Sequence, residues 1–353
     1  MNTRTSPSNG SDALVDVVVV GGGAAGLSAA VTLGRAHRSV VVVDAGHPRN
    51  APAAHLHGFL SRDGMNPAEL LTVGRQEVER YGGRVQPGRV VVAARDDDGT
   101  FTVTLDDART LRSRQLVLAT GLTDRLPDVP GVAERWGRDV LHCPYCHGWE
   151  VSGRAVGILG RGPVSVHQAL LWRQWTQDVT LFLEPATELP ESAWEELAAR
   201  GVRVVDVAVE RLEVTDDRLT GVRLADGHVL PVDAVVVGSR MHANAELLAG
   251  LGLEVEDVEM QGTVVGSRVP TGPMGSTDVP GLWVAGNTAD VSAQVVVAAA
   301  DGMRTGAAVN ATLVAADTKA AVEARRTPFS AQAERELHTR RTAEHPHALE
   351  TTR

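Results

Sequence analysis

Six consecutive residues hold most of the reactive chemistry of this chain: His142, Cys143, Pro144, Tyr145, Cys146 and His147. Cys143 and Cys146 are the only 2 cysteines among 353 residues, so no disulfide framework exists elsewhere. A Cys-x-x-Cys pair either exchanges disulfides or holds a metal. Structural zinc takes four ligands arranged as a tetrahedron, and four side chains on one short turn cannot easily surround an ion. The redox reading is therefore preferred, and no metal is expected. A pair at a helix N-terminus ionises more easily, because the dipole and backbone donors favour the thiolate. Pro144 suits an early helical position, where its missing N–H costs nothing. His142 and His147 titrate near neutral pH and are candidates for taking thiol protons. Either one could instead only pack against or cap the turn.

A second chemical feature stands near the start. Val15 to Val20 is a β-branched run of the kind buried on both faces of a parallel sheet. Gly21-Gly22-Gly23-Ala24-Ala25-Gly26 follows at once, then a helical pattern over Leu27–Ala36 and a second strand over Ser39–Val43, ended by Asp44. This is G-x-G-x-x-G between strand and helix, with an acid at the end of the next strand. Gly21, Gly23 and Gly26 permit a tight turn and close approach of a pyrophosphate. The helix N-terminus offers N–H groups to it. Asp44 is expected to accept ribose hydroxyls. The turn predicts dinucleotide binding rather than a glycine-rich packing corner.

The elements that must position these groups form a repeating α/β pattern. Val90–Ala94 and Phe101–Leu105 alternate like a hairpin. Gln115–Ala119 is a buried strand that ends in the small turn Ala119-Thr120-Gly121. A second nucleotide-type unit runs through strand Ala155–Leu159, Gly160-Arg161-Gly162-Pro163-Val164-Ser165, helix Val166–Trp175 and strand Val179–Leu183. Its third glycine is Ser165, and Pro163 removes a backbone donor. Val232–Val237 and Leu282–Val284 are further strands, Gly286-Asn287 follows the latter, and Val295–Ala311 reads as helix. Trp172, Trp175 and Trp194 read as core or interface. From Ala316 the chain is charged, with Pro328 and Pro346, and reads as a polar helix plus disorder. His338, His345 and His347 lie among those charges, and His345 and His347 are too sparse for a metal site.

Composition narrows the function classes. An apolar fraction of 43% is ordinary for a globular protein. A net charge of −10 argues against nucleic-acid and anionic-membrane partners. Residues 1–12 are polar and lack an apolar signal core, so a cytoplasmic protein without a membrane span is expected.

Taken in order, Gly21–Gly26, Ala119–Gly121, Cys143–Cys146, Gly160–Ser165 and Val279–Asn287 resemble the low-molecular-weight thioredoxin reductase family over residues 14 to 314. The resemblance implies an α/β fold of two Rossmann-like nucleotide-binding domains. An FAD domain over 13–124 and 244–316 is interrupted by an inserted NAD(P)-type domain over 125–243 that carries the cysteines. A polar extension over 1–12 and a polar tail over 317–353 flank them. It implies FAD as cofactor and a homodimer. It implies cofactor contacts at Gly21, Gly23, Ala24, Ala25, Gly26, Asp44, Ala119, Thr120, Gly121, Gly286, Asn287, Gln294 and Val295. Gln294 and Val295 would open a helix aimed at the flavin pyrimidine. The segment His55–Gly64, with Asp63, resembles a loop that lies over FAD in relatives, or is a surface loop.

The departures from the family are informative. NADPH-using members carry a basic cluster after the second strand of the inserted domain. Here that place reads Leu181-Phe182-Leu183-Glu184-Pro185-Ala186, and Glu184 would repel a phosphate. The family's acid after the second cysteine is replaced by His147. Asn287 stands where the family has an aspartate, and it still offers hydrogen bonds. These features resemble the thioredoxin reductase-like dithiol oxidases of gliotoxin and holomycin type. That resemblance implies a small-molecule dithiol and O2 as partners, with H2O2 as product. The substrate would attack a resting Cys143–Cys146 disulfide at Cys143, and Cys146, nearer the flavin in the family, would pass the electrons on. An NAD(P)H-dependent reductase of a thioredoxin-like protein is the second reading, since Glu184 could hold an NADH ribose. A non-enzymatic FAD-bound redox module is the third.

Overall fold

The computed structural model describes residues 13–326 and 331–344. The polar stretch 1–12 and tail residues Pro328, His345, Pro346 and His347 lie outside the described residues. Strand β1 (Val15–Val20) leads through Gly21–Gly23 into helix α1 (Ala24–Arg35) and strand β2 (Val40–Asp44). The helix starts three residues earlier than its apolar pattern predicts, because extended Gly23 acts as its N-cap. Helix α2 (Pro67–Arg80) follows, capped by Asn66, whose side chain accepts from Ala68 N–H at 2.9 Å. Strands β3 (Arg84–Pro87), β4 (Val90–Arg95), β5 (Phe101–Leu105) and β6 (Thr110–Leu118) come next. β4 and β5 form the antiparallel hairpin read from the alternation, while β6 begins five residues before the expected Gln115. That early half pairs with β5, a contact that no local apolar run announces.

β7 (Leu122–Arg125) leaves this sheet and leads to helix α3 (Val132–Arg135), β8 (Val140–Leu141) and the one-turn helix α4 (Pro144–His147). Then come β9 (Val156–Gly160), α5 (Val164–Trp172), β10 (Val179–Leu183), α6 (Glu191–Ala199) and β11 (Arg203–Val205). α5 ends at Trp172, so Trp175 stands outside the helix expected to contain it. The small sheet β12 (Val209–Thr215), β13 (Arg218–Leu224) and β14 (Val229–Leu230) precedes β15 (Ala234–Val237). β16 (Arg240–Ala243) returns antiparallel to β7, so these two strands carry the chain out and back. The five-stranded sheet has order β11-β10-β9-β15-β8 and is the heart of an inserted α/β module.

β17 (Glu256–Met260) and β18 (Thr263–Arg268) form a hairpin that joins the crossover strands in a four-stranded sheet, order β17-β18-β16-β7. β19 (Leu282–Val284) then pairs with β6, completing a seven-stranded sheet with order β3-β2-β1-β6-β5-β4. The chain thus leaves the first module after β6 and re-enters it beside β6. Valines of β1 and β2 are almost fully buried, as a parallel sheet covered on both faces demands. Phe101, Leu116, Leu118 and Leu282 fill one side of that core. In the inserted module Trp172 is fully buried among Ile158, Leu181 and Val236. Helix α7 (Val295–Arg326) runs well beyond the expected Ala311, and α8 is Ala331–Glu344. One compact unit reaches Ala307, and a second begins at Ala308 and contains the end of α7 and all of α8. Among the described residues no helix is long and apolar enough to cross a membrane.

Candidate redox site

Cys143 is the N-cap of α4, with extended backbone (φ −99°, ψ 120°), and Pro144 takes the first helical position. The Cys143 carbonyl accepts from Cys146 N–H and His147 N–H, each at 3.2 Å. This one turn places both thiols on the same side. Both are free and half-buried. The Cys146 thiol donates toward Cys143, and that contact outweighs burial. With backbone donors of Cys146 and Tyr145 and the charge of Arg49, it brings the Cys143 thiol down to about 7. The same contact, with burial and the neighbouring thiolate, pushes the Cys146 thiol up. The first proton a reduced pair loses therefore comes from Cys143. Gln294 Nε2 donates to Cys143 Sγ at 3.9 Å. Gln294 thus meets Cys143, whereas the resemblance puts Cys146 nearer the flavin.

Burial is the main cause that lowers both histidine pKa values. For His142 a contact of Nδ1 with the Val237 carbonyl at 3.2 Å opposes it in part. For His147 the charge of Glu150 opposes it, while His57 and His142 add to it. Both imidazoles are neutral at pH 7 and can accept a proton. His57 was not singled out by sequence. Its Nδ1 lies 3.2 Å from Asp63 and its Nε2 3.2 Å from Glu150. Asp63 also accepts from Gly58 N–H at 2.9 Å, so it organises the loop 55–64. Tyr145 is 63% and Trp149 81% exposed, which leaves aromatic surface beside the pair. Tyr145 meets Trp175 edge-on, with ring centroids 5.5 Å apart.

The first glycine turn requires its glycines for different reasons. Gly21 has φ +108°, and a Cβ there would fall 2.2 Å from the Ala119 carbonyl oxygen. A Cβ on Gly26 would fall 1.9 Å from the Gly21 carbonyl oxygen. Gly23 faces open space and caps α1 without a side-chain hydrogen bond. A small open cradle therefore stands before helix donors that no side chain occupies, which suits a pyrophosphate. Asp44 Oδ1 accepts from Gly22 and Gly46 N–H at 3.2 and 3.3 Å, and Oδ2 pairs with Arg75 at 2.9 Å. Arg75, 31 residues away on α2, carries no motif and escaped the sequence reading.

Other candidate residues converge on this cradle by backbone contact. Gly286, at φ +72°, would bring a Cβ within 2.7 Å of Ala25 Cβ. Gly302 of α7 lies so close that a Cβ would meet the Ala25 carbonyl oxygen at 1.9 Å. Hence the start of α1, the 286–287 turn and Gly302 of α7 gather at one place, while Gln294, just before α7, faces Cys143. The Asn287 amide donates to the carbonyls of Asp290 and Ala293, each at 2.9 Å, and its Oδ1 accepts from Arg49 at 3.5 Å. Thr120 and Gly121 serve the crossover. Thr120 Oγ1 donates to the Asn244 carbonyl at 2.8 Å, and Gly121 N–H donates to Thr288 Oγ1 at 2.7 Å. The residues present fit FAD: Gly21–Gly26 would hold the pyrophosphate and Asp44 a ribose, and the redox end would lie toward Gln294.

The second glycine turn is different. Ser165 is 2% exposed, and its Oγ donates back to the Gly162 carbonyl at 2.6 Å. A Cβ on Gly160 would meet Leu181 and Ser165, and one on Gly162 would meet Thr263 Oγ1 at 3.5 Å. The turn is filled by its own serine and faced by the β17–β18 hairpin.

A family profile described as pyridine nucleotide-disulphide oxidoreductase matches residues 15–302. Thioredoxin reductase sirT of Leptosphaeria maculans is 33% identical over 331 residues, covering 87% of this chain and 97% of that protein. The crystal structure of HlmI is 47% identical with a TM-score of 0.82, over 89% of this chain and 97% of the other. An oxidoreductase from Agrobacterium tumefaciens is 35% identical with a TM-score of 0.79, over 86% and 99%. The chain therefore belongs to the pyridine nucleotide-disulphide oxidoreductase family, in its thioredoxin reductase-like branch, and is an oxidoreductase whose cofactor is FAD.

Proposed function

We propose that the protein is a dithiol oxidase that closes a disulfide in a small-molecule dithiol and uses dioxygen as final acceptor. The observation that carries the reading is the contrast of an ionised, Gln294-facing Cys143 with a filled second glycine turn. A substrate thiolate attacks Cys143 Sγ, the Cys143–Cys146 bond breaks, and its electron pair stays on Cys146. Cys146 takes one proton, in keeping with its raised affinity for it. The second substrate thiol, deprotonated by neutral His147 or His142, attacks the substrate sulfur bound to Cys143. The substrate leaves as a disulfide, and Cys143 departs as the thiolate that the Cys146 thiol and Gln294 stabilise. A low thiol pKa makes it the better leaving sulfur. FAD held at the first glycine turn would supply a two-electron acceptor for reoxidation of the pair, with dioxygen as the final acceptor and hydrogen peroxide as the product.

In this reading 13–124 with 244–316 is the FAD domain, 125–243 the inserted domain and 317–353 a polar tail. The protein works as a cytoplasmic homodimer. The relatives named thioredoxin reductase favour a second reading, an NAD(P)H-dependent disulfide reductase. Anaerobic mixing separates the two. Flavin bleached by dithiols, but not by NADH or NADPH, is the expected result, together with dithiol-dependent oxygen uptake that Cys143→Ser removes. Rapid bleaching by NADH would overturn the oxidase reading.

A further inference from the structure

Arg49 lies on the irregular segment after β2. Its Nε and Nη2 donate to Asp124 Oδ2 and Oδ1 at 2.7 and 2.8 Å, a two-pronged pair. Asp124 stands on β7, the outgoing crossover strand. Its Oδ1 also accepts from Ser239 Oγ at 2.7 Å, one residue before the returning strand β16. Asp124 is opposite Met241 in the β7–β16 pair. One carboxylate therefore joins both crossovers to a segment of the first module, and the remaining arm of Arg49 reaches Asn287. Burial raises the Asp124 carboxyl, but the Arg49 bonds and charge, the Ser239 bond and the nearby His142 outweigh it. The carboxyl stays below its ordinary range and is charged throughout neutral pH.

Three contacts surround this clasp. Pro52 lies against the turn at Gly137, where a Cβ would meet it at 2.6 Å. His57 reaches Glu150 just past the cysteines, and Gln294 reaches Cys143. A turn of the inserted module about β7 and β16 would break all three together.

We propose that Arg49, Asp124 and Ser239 are positioning residues that fasten both crossover strands to the first module and so hold the dithiol beside Gln294. The cysteine pair then works in one place, with no turn of the inserted module between half-reactions. The consequence for turnover rests on the dithiol oxidase reading. The fastening itself does not.

The test is the rate at which iodoacetamide alkylates the fully reduced protein at pH 9, with no dithiol and no oxygen. At that pH Cys143 is ionised, so the rate reports access rather than charge. Asp124→Asn breaks the charged fork but leaves Arg49 in place, and it raises the rate by about fivefold. Ser239→Ala removes one hydroxyl and raises it by about twofold. Arg49→Lys keeps the charge with a single prong and falls between. In dithiol turnover the same variants lower kcat and leave KM unchanged. Alkylation that stays at the wild-type rate in folded Ser239→Ala and Asp124→Asn would overturn the proposal. So would a rise in KM at constant kcat, which would put these residues on the substrate. If the wild type shows no dithiol turnover, the oxidase reading fails, while the alkylation rates still decide the clasp.

Discussion

The two glycine turns of this chain share an outline and differ in what fills them. At Gly21–Gly26 a β-carbon is excluded by backbone atoms, at 2.2 and 1.9 Å, while Gly23 opens on empty space. At Gly160–Ser165 the same corner is packed by the Ser165 hydroxyl and Leu181, and the β17–β18 hairpin faces it. In the first turn two glycines let backbone pack closely and the third leaves the cradle open. In the second, Gly160 makes room for Leu181 and Ser165. A glycine pattern therefore reports a tight corner, and the neighbouring side chains decide whether the corner is a site.

The largest effect is expected from a matched pair of substitutions. Gly21→Ala forces a side chain into left-handed backbone against Ala119, and the purified protein should lose its flavin absorbance. Gly160→Ala should keep the wild-type flavin content and only lower Tm, since its added methyl meets Leu181 and Ser165. Equal flavin loss in both would erase the distinction. A second test uses ligand-linked stability. FAD at a hundredfold over its Kd should stabilise the flavin-free protein by about 2.7 kcal/mol. NADH or NADPH at millimolar concentration should leave Tm unmoved, and an upward shift with either would revive the second turn.

The third test asks which turn the dithiol serves. Cys143 ionises at about 7, down from 9.0. A lowered thiol pKa means reactivity is gained as pH rises through that value, so alkylation should climb about tenfold between pH 6 and 8 and then level off. Gln294→Ala should move that midpoint upward, and Cys146→Ala should move it further, because the Cys146 contact is the largest support. Glu184→Gln, beside the second turn, should not move it. The smallest effect is expected from Glu184→Arg. Added positive charge should raise NADPH-driven flavin reduction by less than about twofold, because Ser165 still fills the corner.

Much of the fold was readable because its signals are local. The Val15–Val20 run, the glycine turn after it and the Phe101–Leu105 alternation each announce an element within a few residues. Boundaries failed where a tertiary contact decides them, as in the early half of β6 that pairs only with β5. The dithiol and its flanking histidines were legible from residue type and spacing. His57, Arg75 and the Arg49–Asp124–Ser239 clasp were not. Arg75 lies 31 residues from Asp44, Arg49 75 from Asp124 and Asp124 115 from Ser239, and no periodicity links such positions.

The sequence by itself determined the chemistry available: a lone cysteine pair at a helix start, two glycine turns of which the second departs from the pattern, and no basic cluster after the second. Those follow from residue identity and short-range geometry, which the chain carries wherever it folds. Only the tertiary structure decided which glycine turn is open and what keeps the pair in place. Both depend on groups brought together through space, across separations that no pattern of sequence neighbours links.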